Sequence, residues 1–394
     1  MNDSGVKIEV HLIQNFAPSN LNRDDTGQPK SATFGGFRRA RVSSQCGKRA
    51  AREWWRERGT VSVGDRTKRL QQLIGDKLAQ DKEFTKMVAN EEDRKTGIRV
   101  FTDAYYAAAD KNKPDNTNVL IFVGPDEVYV CAEAIKETWD DEIKNKTEIK
   151  SRKEIEDRIR AARVSADIAL FGRMLAEQPG RNTDGACQVA HPISTHKVDM
   201  EMDFYTAVDD LNPAEETGAG MMGVVGFNSA CYYRYALVDR DQLARNLARK
   251  TERKNGGWAQ NLEAKDYDTA DTVIKAFLEA MVYAIPTGKQ HSFAAQNLPS
   301  FGLLVRRQGG VPISLANAFA KPVRPTRESD DLVGLSVDRL TKHWDALKQV
   351  YGEQGVQEKA CFHVQQEGRL NGLSDFDKKT VTSAIDAVMK GMKP

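Results

Sequence analysis

The chain has 394 residues, 40% of them hydrophobic and 29% charged, with a formal net charge of only +2. That is an ordinary globular composition, long enough for one large domain with insertions or for two or three domains. No apolar run approaches the ~18 residues that a membrane span needs. The opening MNDSGVKIEV has no basic-then-apolar leader pattern. A cytoplasmic protein without a membrane partner is therefore expected. The five cysteines (Cys46, Cys131, Cys187, Cys231, Cys361) are scattered and form no C-x-x-C pair, so neither a zinc ribbon nor a disulfide framework is expected. With bulk charge balanced, any nucleic-acid site must come from local clustering.

In chain order, KIEVHLIQNF (7–16) alternates Ile8, Val10 and Leu12 with more polar residues and predicts a strand. A polar loop rich in Asn, Pro and Gly follows (17–37), ending near Gly35-Gly36. Ser43 or Ser44 is a good N-cap for a helix running to about Arg58. Eight Lys/Arg crowd residues 37–58 against two Glu. At 100° per residue, Gln45, Lys48, Arg49, Arg52 and Arg56 fall on one arc of this helix. Gly47, Ala50, Ala51, Trp54 and Trp55 fall on the opposite arc. The tryptophan side should pack inward and leave a basic ridge outward.

Residues 60–160 read as a mainly helical insertion. Charged stretches at 67–80, 125–144 and 146–162 surround one apolar run, VLIFVG, and their charges are expected to solvate exposed faces. RVSADIALFGRM (163–174) is expected to be a strand, from the alternation of Val164, Ala166, Ile168 and Leu170. CQVAHPISTHKVDMEMDFYTAVDDL predicts an extended hairpin or flap. SACYYRYALVD (229–239) is a tyrosine-rich strand. TADTVIKAFLEAMVYAI (269–285) is an amphipathic helix stopped by Pro286 and Gly288. A last strand is expected near 303–305. Without insertions the order is βαββαβ, the ferredoxin-like or RRM-like split unit.

The chemistry-bearing residues are few. Asp24-Asp25 are the residue types that hold Mg²⁺ for RNA cleavage, yet adjacent aspartates also suit a turn. Cys187, His191 and His196 invite a zinc site, but their spacing fits no common one. No P-loop, nucleophile elbow or placed dinucleotide fingerprint occurs. No catalytic residue, metal or cofactor is expected. The phosphate-binding features are better. The Gly-Gly turn permits close backbone approach to a ligand. A helix start presents N–H groups to an anion. Arg41, Lys48, Arg49 and Arg52, with the Ser43/Ser44 hydroxyls and Gln45, form a track for a nucleic-acid backbone.

Seven stretches in order then become recognisable: LNRDD, FGGFRRARVSSQCGKRAAR, DIALFGRM, AHPISTHKVDMEMDFYTAVDDL, YYRYA, GKQHSFAA and PISLANAF. Together they resemble the CasC-type backbone subunit of the type I-E CRISPR Cascade complex. The resemblance spans nearly the whole chain and is least in the insertion and the last seventy or so residues. It implies an α+β fold with an RRM-like palm (1–59, 161–186 and 226–394), helical fingers (60–160) and a β-hairpin thumb (187–225). It implies no enzyme but a subunit that polymerises head to tail along crRNA, an open array from a heterologous interface. Target DNA then pairs with the held guide, and other Cascade subunits complete the particle. Carried over by position, Arg23, Lys30, Ser43, Gln45, Lys48 and Arg52 would contact RNA. Met174 would wedge at its kink, Lys289 and Gln290 would lie near its path, and Met200, Met202 and Phe204 would belong to the thumb. The alternatives are a metal-dependent RNase of the type III backbone kind, using Asp24 or Asp25, and a stand-alone single-strand binder. Cys46-Gly47 departs from a good helix start; Gly costs up to about 1 kcal/mol relative to Ala in a helix interior, less at an end, and here it either loosens the helix start or lets backbone approach the RNA.

Overall fold

The computed structural model describes residues 5–175, 178–208, 219–255, 257–327, 329, 331–364, 370 and 372–392. The chain divides into two compact units. The first comprises Met1–Trp54, Gln188–Asp239 and Ile274–Lys393; the second comprises Trp55–Cys187 and Arg240–Val273. Residues 161–187 and 240–273 thus cluster with 55–160, whereas the resemblance assigns 161–186 and 226–394 to the palm.

Strand β1 (Val6–Ser19) is longer than its sequence signal. The loop expected after it contains a hairpin, β2 (Ser31–Phe34) and β3 (Phe37–Ala40). Gly35 and Gly36 close it with φ of +60° and +81°, the left-handed pair a two-residue turn requires. A Cβ on Gly35 would strike the Ala320 carbonyl. The close approach expected toward a ligand is thus, at Gly35, an approach to the chain itself. Helix α1 (Ser44–Arg58) divides as the periodicity demands. Ala50, Ala51 and Trp55 are buried, while Gln45, Arg49 and Arg56 are exposed.

The second unit holds β4 (Asp65–Thr67), α2 (Leu70–Ala79), α3 (Lys82–Met87), α4 (Glu91–Tyr105), β5 (Ile121–Val123), α5 (Pro125–Thr138), α6 (Lys153–Ala161) and α7 (Ala166–Phe171). Local chemistry starts these helices. Asp81 accepts from Glu83 and Phe84 N–H to cap α3, Asn90 caps α4, and Pro125 opens α5. Their inner faces bury Leu70, Ile74, Phe84, Phe101, Ile135, Trp139, Ile155 and Ile159 in one core. The VLIFVG run supplies β5, which pairs with β4. The strand expected at 163–174 is instead α7. Ala166 through Leu170 are all buried, so the run carried no period to distinguish strand from helix. Asp167 decides it: its carboxylate accepts from Ser165 Oγ (2.7 Å), Gly64 N (2.9 Å) and Ile168 N (3.0 Å), fixing a first helical turn.

The chain continues through β6 (Cys187–Val189), β7 (Ile193–Ser194), β8 (Glu201–Val208), β9 (Ala219–Asp239), α8 (Arg240–Ala248), β10 (Arg253–Lys254), β11 (Gly257–Trp258) and α9 (Ala264–Tyr283). It ends with α10 (Gln290–Phe293), β12 (Phe301–Gln308), α11 (Leu332–Tyr351), β13 (Val356–His363) and α12 (Val381–Met389). The main sheet runs β13-β12-β1-β9-β6, with β7 and β8 also paired to β9. Its registered pairs are antiparallel. The result is a mixed helix-and-strand fold built on an antiparallel sheet.

The β1 face expected to be more polar is buried too. Glu9 pairs with Arg307 at 2.8 Å and accepts from Tyr235 Oη and Ile313 N; His11 Nδ1 lies 2.9 Å from Tyr233 Oη. Glu9 and Arg307 satisfy one another, which is what allows charge into a core, while His11 Nε2 is buried without a partner. Val337, Leu340 and Trp344 of α11 share the apolar cluster that contains Ile13 and Tyr233 on this face.

Candidate nucleic-acid interface

Helix α1 begins on a fastened platform. Ser43 is its cap: Cys46 N–H donates to Ser43 Oγ at 3.2 Å. Ser43 N–H donates to Asn22 Oδ1 (2.8 Å), and Ser44 N–H to His191 Nδ1 (2.9 Å). Arg41 N–H donates to the Lys30 carbonyl, and Lys30 N–H to the Asn22 carbonyl. The 20–30 loop is thereby tied to the helix start, and Arg23, Lys30, Arg41, Ser43 and Gln45 come from adjoining segments. Lys48 and Arg52 follow one turn apart and are half-buried. Arg49 is ion-paired to Glu53 at 2.8 Å, which raises its pKa and engages part of its fork. It is 76% exposed and points along the same outer face.

Asp24 builds the turn beneath Arg23. Its Oδ1 accepts from Thr26 Oγ1 (2.8 Å), Thr26 N (2.9 Å) and Gln28 N (2.9 Å). Those bonds, the Thr26 hydroxyl first, hold its pKa below the usual carboxylate range. The proposed metal aspartate is thus engaged as an Asx-type turn former. His191 is engaged by Ser44 N–H. His196 accepts Cys231 N–H at 3.2 Å on Nε2, its other nitrogen lies 2.8 Å from the Lys197 carbonyl, and burial lowers its pKa. Among the described residues no group of three His, Cys, Asp or Glu is placed to hold a metal ion.

The GKQ segment sits against the same loop. A Cβ on Gly288 would strike the Leu21 carbonyl, so only glycine allows this seating. Lys289 is half-buried with φ +53°. Gln290 turns inward, donating Nε2 to the Pro286 (3.0 Å) and Ala295 (3.1 Å) carbonyls. Phe16, Leu21, Ala40, Val42, Val198, Ala230, Tyr232 and Ala295 form the apolar bed below.

Asn20 Nδ2 links this platform to β9, donating to the Gly27 and Gly226 carbonyls at 3.0 and 2.9 Å. From there β8 and β9 run out as a two-stranded ribbon. Its register, Met202↔Gly226, Phe204↔Val224 and Thr206↔Met222, places Met202, Phe204, Met222 and Val224 on one face. All four are more than half exposed, and Met200 at the ribbon's start is half-buried. Met222 and Val224 were missed in the sequence, although the alternation in GMMGVVGF is the signal that finds them.

Met174 belongs to the second unit and is 83% exposed. Its neighbour forces it out: Arg173 is buried against Glu127 at 2.6 Å and donates to the Phe122 and Arg181 carbonyls.

The comparisons with known proteins follow this geometry. A chain from a solved "CRISPR RNA-guided surveillance complex, pre-nicking" superposes with a TM-score of 0.79 at 27% identity, covering 97% of this chain and 99% of that one. A chain from a "CRISPR RNA-guided surveillance complex" gives a TM-score of 0.72 at 23% identity over 98% and 100%, a likeness of fold. No curated protein matched. The fold is that of a subunit of CRISPR RNA-guided surveillance complexes. The family model described as CT1975-like protein matches residues 8–390, and the chain belongs to that Cas protein family.

Proposed function

We propose that this chain is a non-catalytic backbone subunit of a type I-E Cascade complex. Copies polymerise head to tail along a crRNA and hold it for pairing with target DNA. The observation that carries the reading is the 97% and 99% mutual coverage with a surveillance-complex chain at 27% identity, with the helix-start platform falling within it. The strand order supports an RRM-like palm. With β6, β9, β1 and β12 taken as strands two, three, one and four, the order β12-β1-β9-β6 is that of the split βαββαβ unit. Residues 60–160 serve as fingers and the ribbon within 187–225 as thumb.

In this reading Arg23, Lys30, Arg41, Lys48, Arg49 and Arg52 neutralise phosphates, while Ser43, Gln45 and Lys289 position the strand and Gln290 holds the GKQ turn near its path. Met174 wedges at a kink. The thumb's Met202 and Phe204, with Met200 at its base, fill the gap left by a flipped base. Phosphate contacts carry no sequence information, so any spacer is accepted and base pairing does the reading.

Purification from the host followed by sequencing of bound RNA tests this. Short RNAs with constant repeat-derived ends around variable spacers are expected. Random cellular RNA would instead indicate a stand-alone single-strand binder, and absence of RNA would return α1 to an ordinary surface helix.

A further inference from the structure

We propose that the β10–β11 hairpin of the second unit is an additional contact for a nucleic-acid phosphate backbone, with Arg253 and Lys254 as the donors. Residues 245–258 contain five basic side chains (Arg245, Arg249, Lys250, Arg253, Lys254) against one acid, Glu252. The hairpin pairs Arg253 with Trp258 and Lys254 with Gly257. In sequence, the Asn-Gly that follows Lys254 is the signature of a tight hairpin turn, and Asn255 has φ +52°.

Trp258 is held between two guanidiniums: Arg245 Cζ is 4.3 Å and Arg253 Cζ 4.2 Å from the ring centroid. The two arginines differ in what they have left. Arg245 donates to the Gln260 carbonyl at 3.0 Å and serves as the inner brace. Arg253 is exposed and its guanidinium carbon lies over the indole. Such stacking leaves the in-plane N–H fork available, and that fork matches a phosphate. The stack also restricts the side chain beforehand, so less freedom is lost on binding.

Two nearby acids, Glu263 and Asp266, are engaged elsewhere. Glu263 and Asp266 take Lys250 at 2.9 and 2.7 Å, and Glu263 also takes Lys265 at 2.9 Å. Lys254 stands exposed at the tip beside Arg253. An exposed cationic tip braced on an aromatic ring gives little to the core and is built to meet an anion. The choice of nucleic acid over an acidic peptide rests on the function proposed above.

The test uses the full-length chain and the double variant Arg253→Gln/Lys254→Gln. Both residues are exposed and only the Arg253–Trp258 contact is lost, so the melting temperature should move little. Each preparation is titrated with labelled single-stranded RNA and, separately, with labelled duplex DNA between 50 and 200 mM salt. Losing two phosphate contacts should lower the salt slope by about 1.4 on RNA or about 1.8 on duplex, roughly a tenfold change in affinity across that range. A loss confined to RNA assigns the hairpin to the guide, and a loss confined to duplex assigns it to target DNA. Arg253→Lys keeps the charge but not the fork and should fall between. Unchanged binding to both probes by the folded double variant overturns the proposal while leaving the backbone reading intact. A wild-type chain that binds neither probe overturns both.

Discussion

At the scale of single residues, Gly47 and His11 carry testable consequences. The sequence left two readings of Gly47: a loosened helix start or a place where RNA backbone comes close. A Cβ there meets nothing within 4 Å. Gly47→Ala should therefore stabilise α1 by up to about 1 kcal/mol, visible in urea denaturation. If RNA approaches this turn, the same variant binds RNA more weakly despite its greater stability; unchanged affinity assigns Gly47 to helix propensity alone. His11 is fully buried, and burial first, then the Arg307 charge, lowers its pKa to about 3. Its folded pKa lies below the unfolded value near 6.5. The stability it contributes is thus complete above pH 6.5 and is lost progressively as pH falls toward 3, because only the unfolded chain takes the proton. The slope reaches about 1.4 kcal/mol per pH unit. Denaturation midpoints between pH 7 and 5, above most carboxylate titration, should fall in the wild type and stay flatter in His11→Gln. A wild-type profile that is flat there would mean that His11 is not kept neutral. The cost of Gly47 was legible in the sequence, though not the open space beside it; the burial of His11 was not legible. His11 stood in an alternating strand whose second face reads as polar, and it is Tyr233 and Tyr235 of β9 and Trp344 of α11, all more than two hundred residues away, that pack on its ring.

At the scale of elements, α1 and the β8–β9 ribbon separate binding from folding. The helix was legible nearly to the residue, since amphipathic period and a Ser cap are local properties. The ribbon was legible as an extended flap, but which of its residues share a face depends on the cross-strand register. Met202 and Phe204 are 59% and 62% exposed. Met202→Ser/Phe204→Ser should therefore change stability by no more than about 0.5 kcal/mol. RNA-dependent assembly, followed by sedimentation, should nevertheless fail. A variant that assembles normally would show that the apolar face serves neither RNA nor a neighbouring copy. The helix α7 shows the opposite case. Its five consecutive buried residues have no period of their own, and the bonds of Asp167 to Ser165 and Gly64 set the conformation.

At the scale of the whole molecule, a net charge of +2 permits tight nucleic-acid binding only through a local track. If one copy neutralises about five phosphates, the single-strand salt slope is about −3.5, a loss of about 100-fold between 50 and 200 mM salt. Lys48→Ala/Arg52→Ala should reduce that slope by about 1.4 and do so equally for unrelated spacer sequences. Equilibrium titrations on two spacers check both statements, and a salt-independent affinity would contradict the track. Head-to-tail growth adds a further expectation. The number of copies bound should rise with guide length, because a heterologous interface does not close; native mass spectrometry on guides of two lengths measures it.

The sequence by itself determined the elements whose signals are local. These are the first and last central strands, the basic helix with its inward tryptophans, the tyrosine-rich strand and the mainly helical character of residues 60–160. Its ordered motifs also pointed to the family. Tertiary structure decided what depends on distant partners. It turned an expected loop into the β2–β3 hairpin whose Gly35 meets Ala320, engaged His191 with Ser44 and His196 with Cys231, and buried Glu9 against Arg307. It also brought Trp258 between two arginines. Period and capping act within a few residues of chain, whereas register, burial and charge pairing are settled only when distant segments meet.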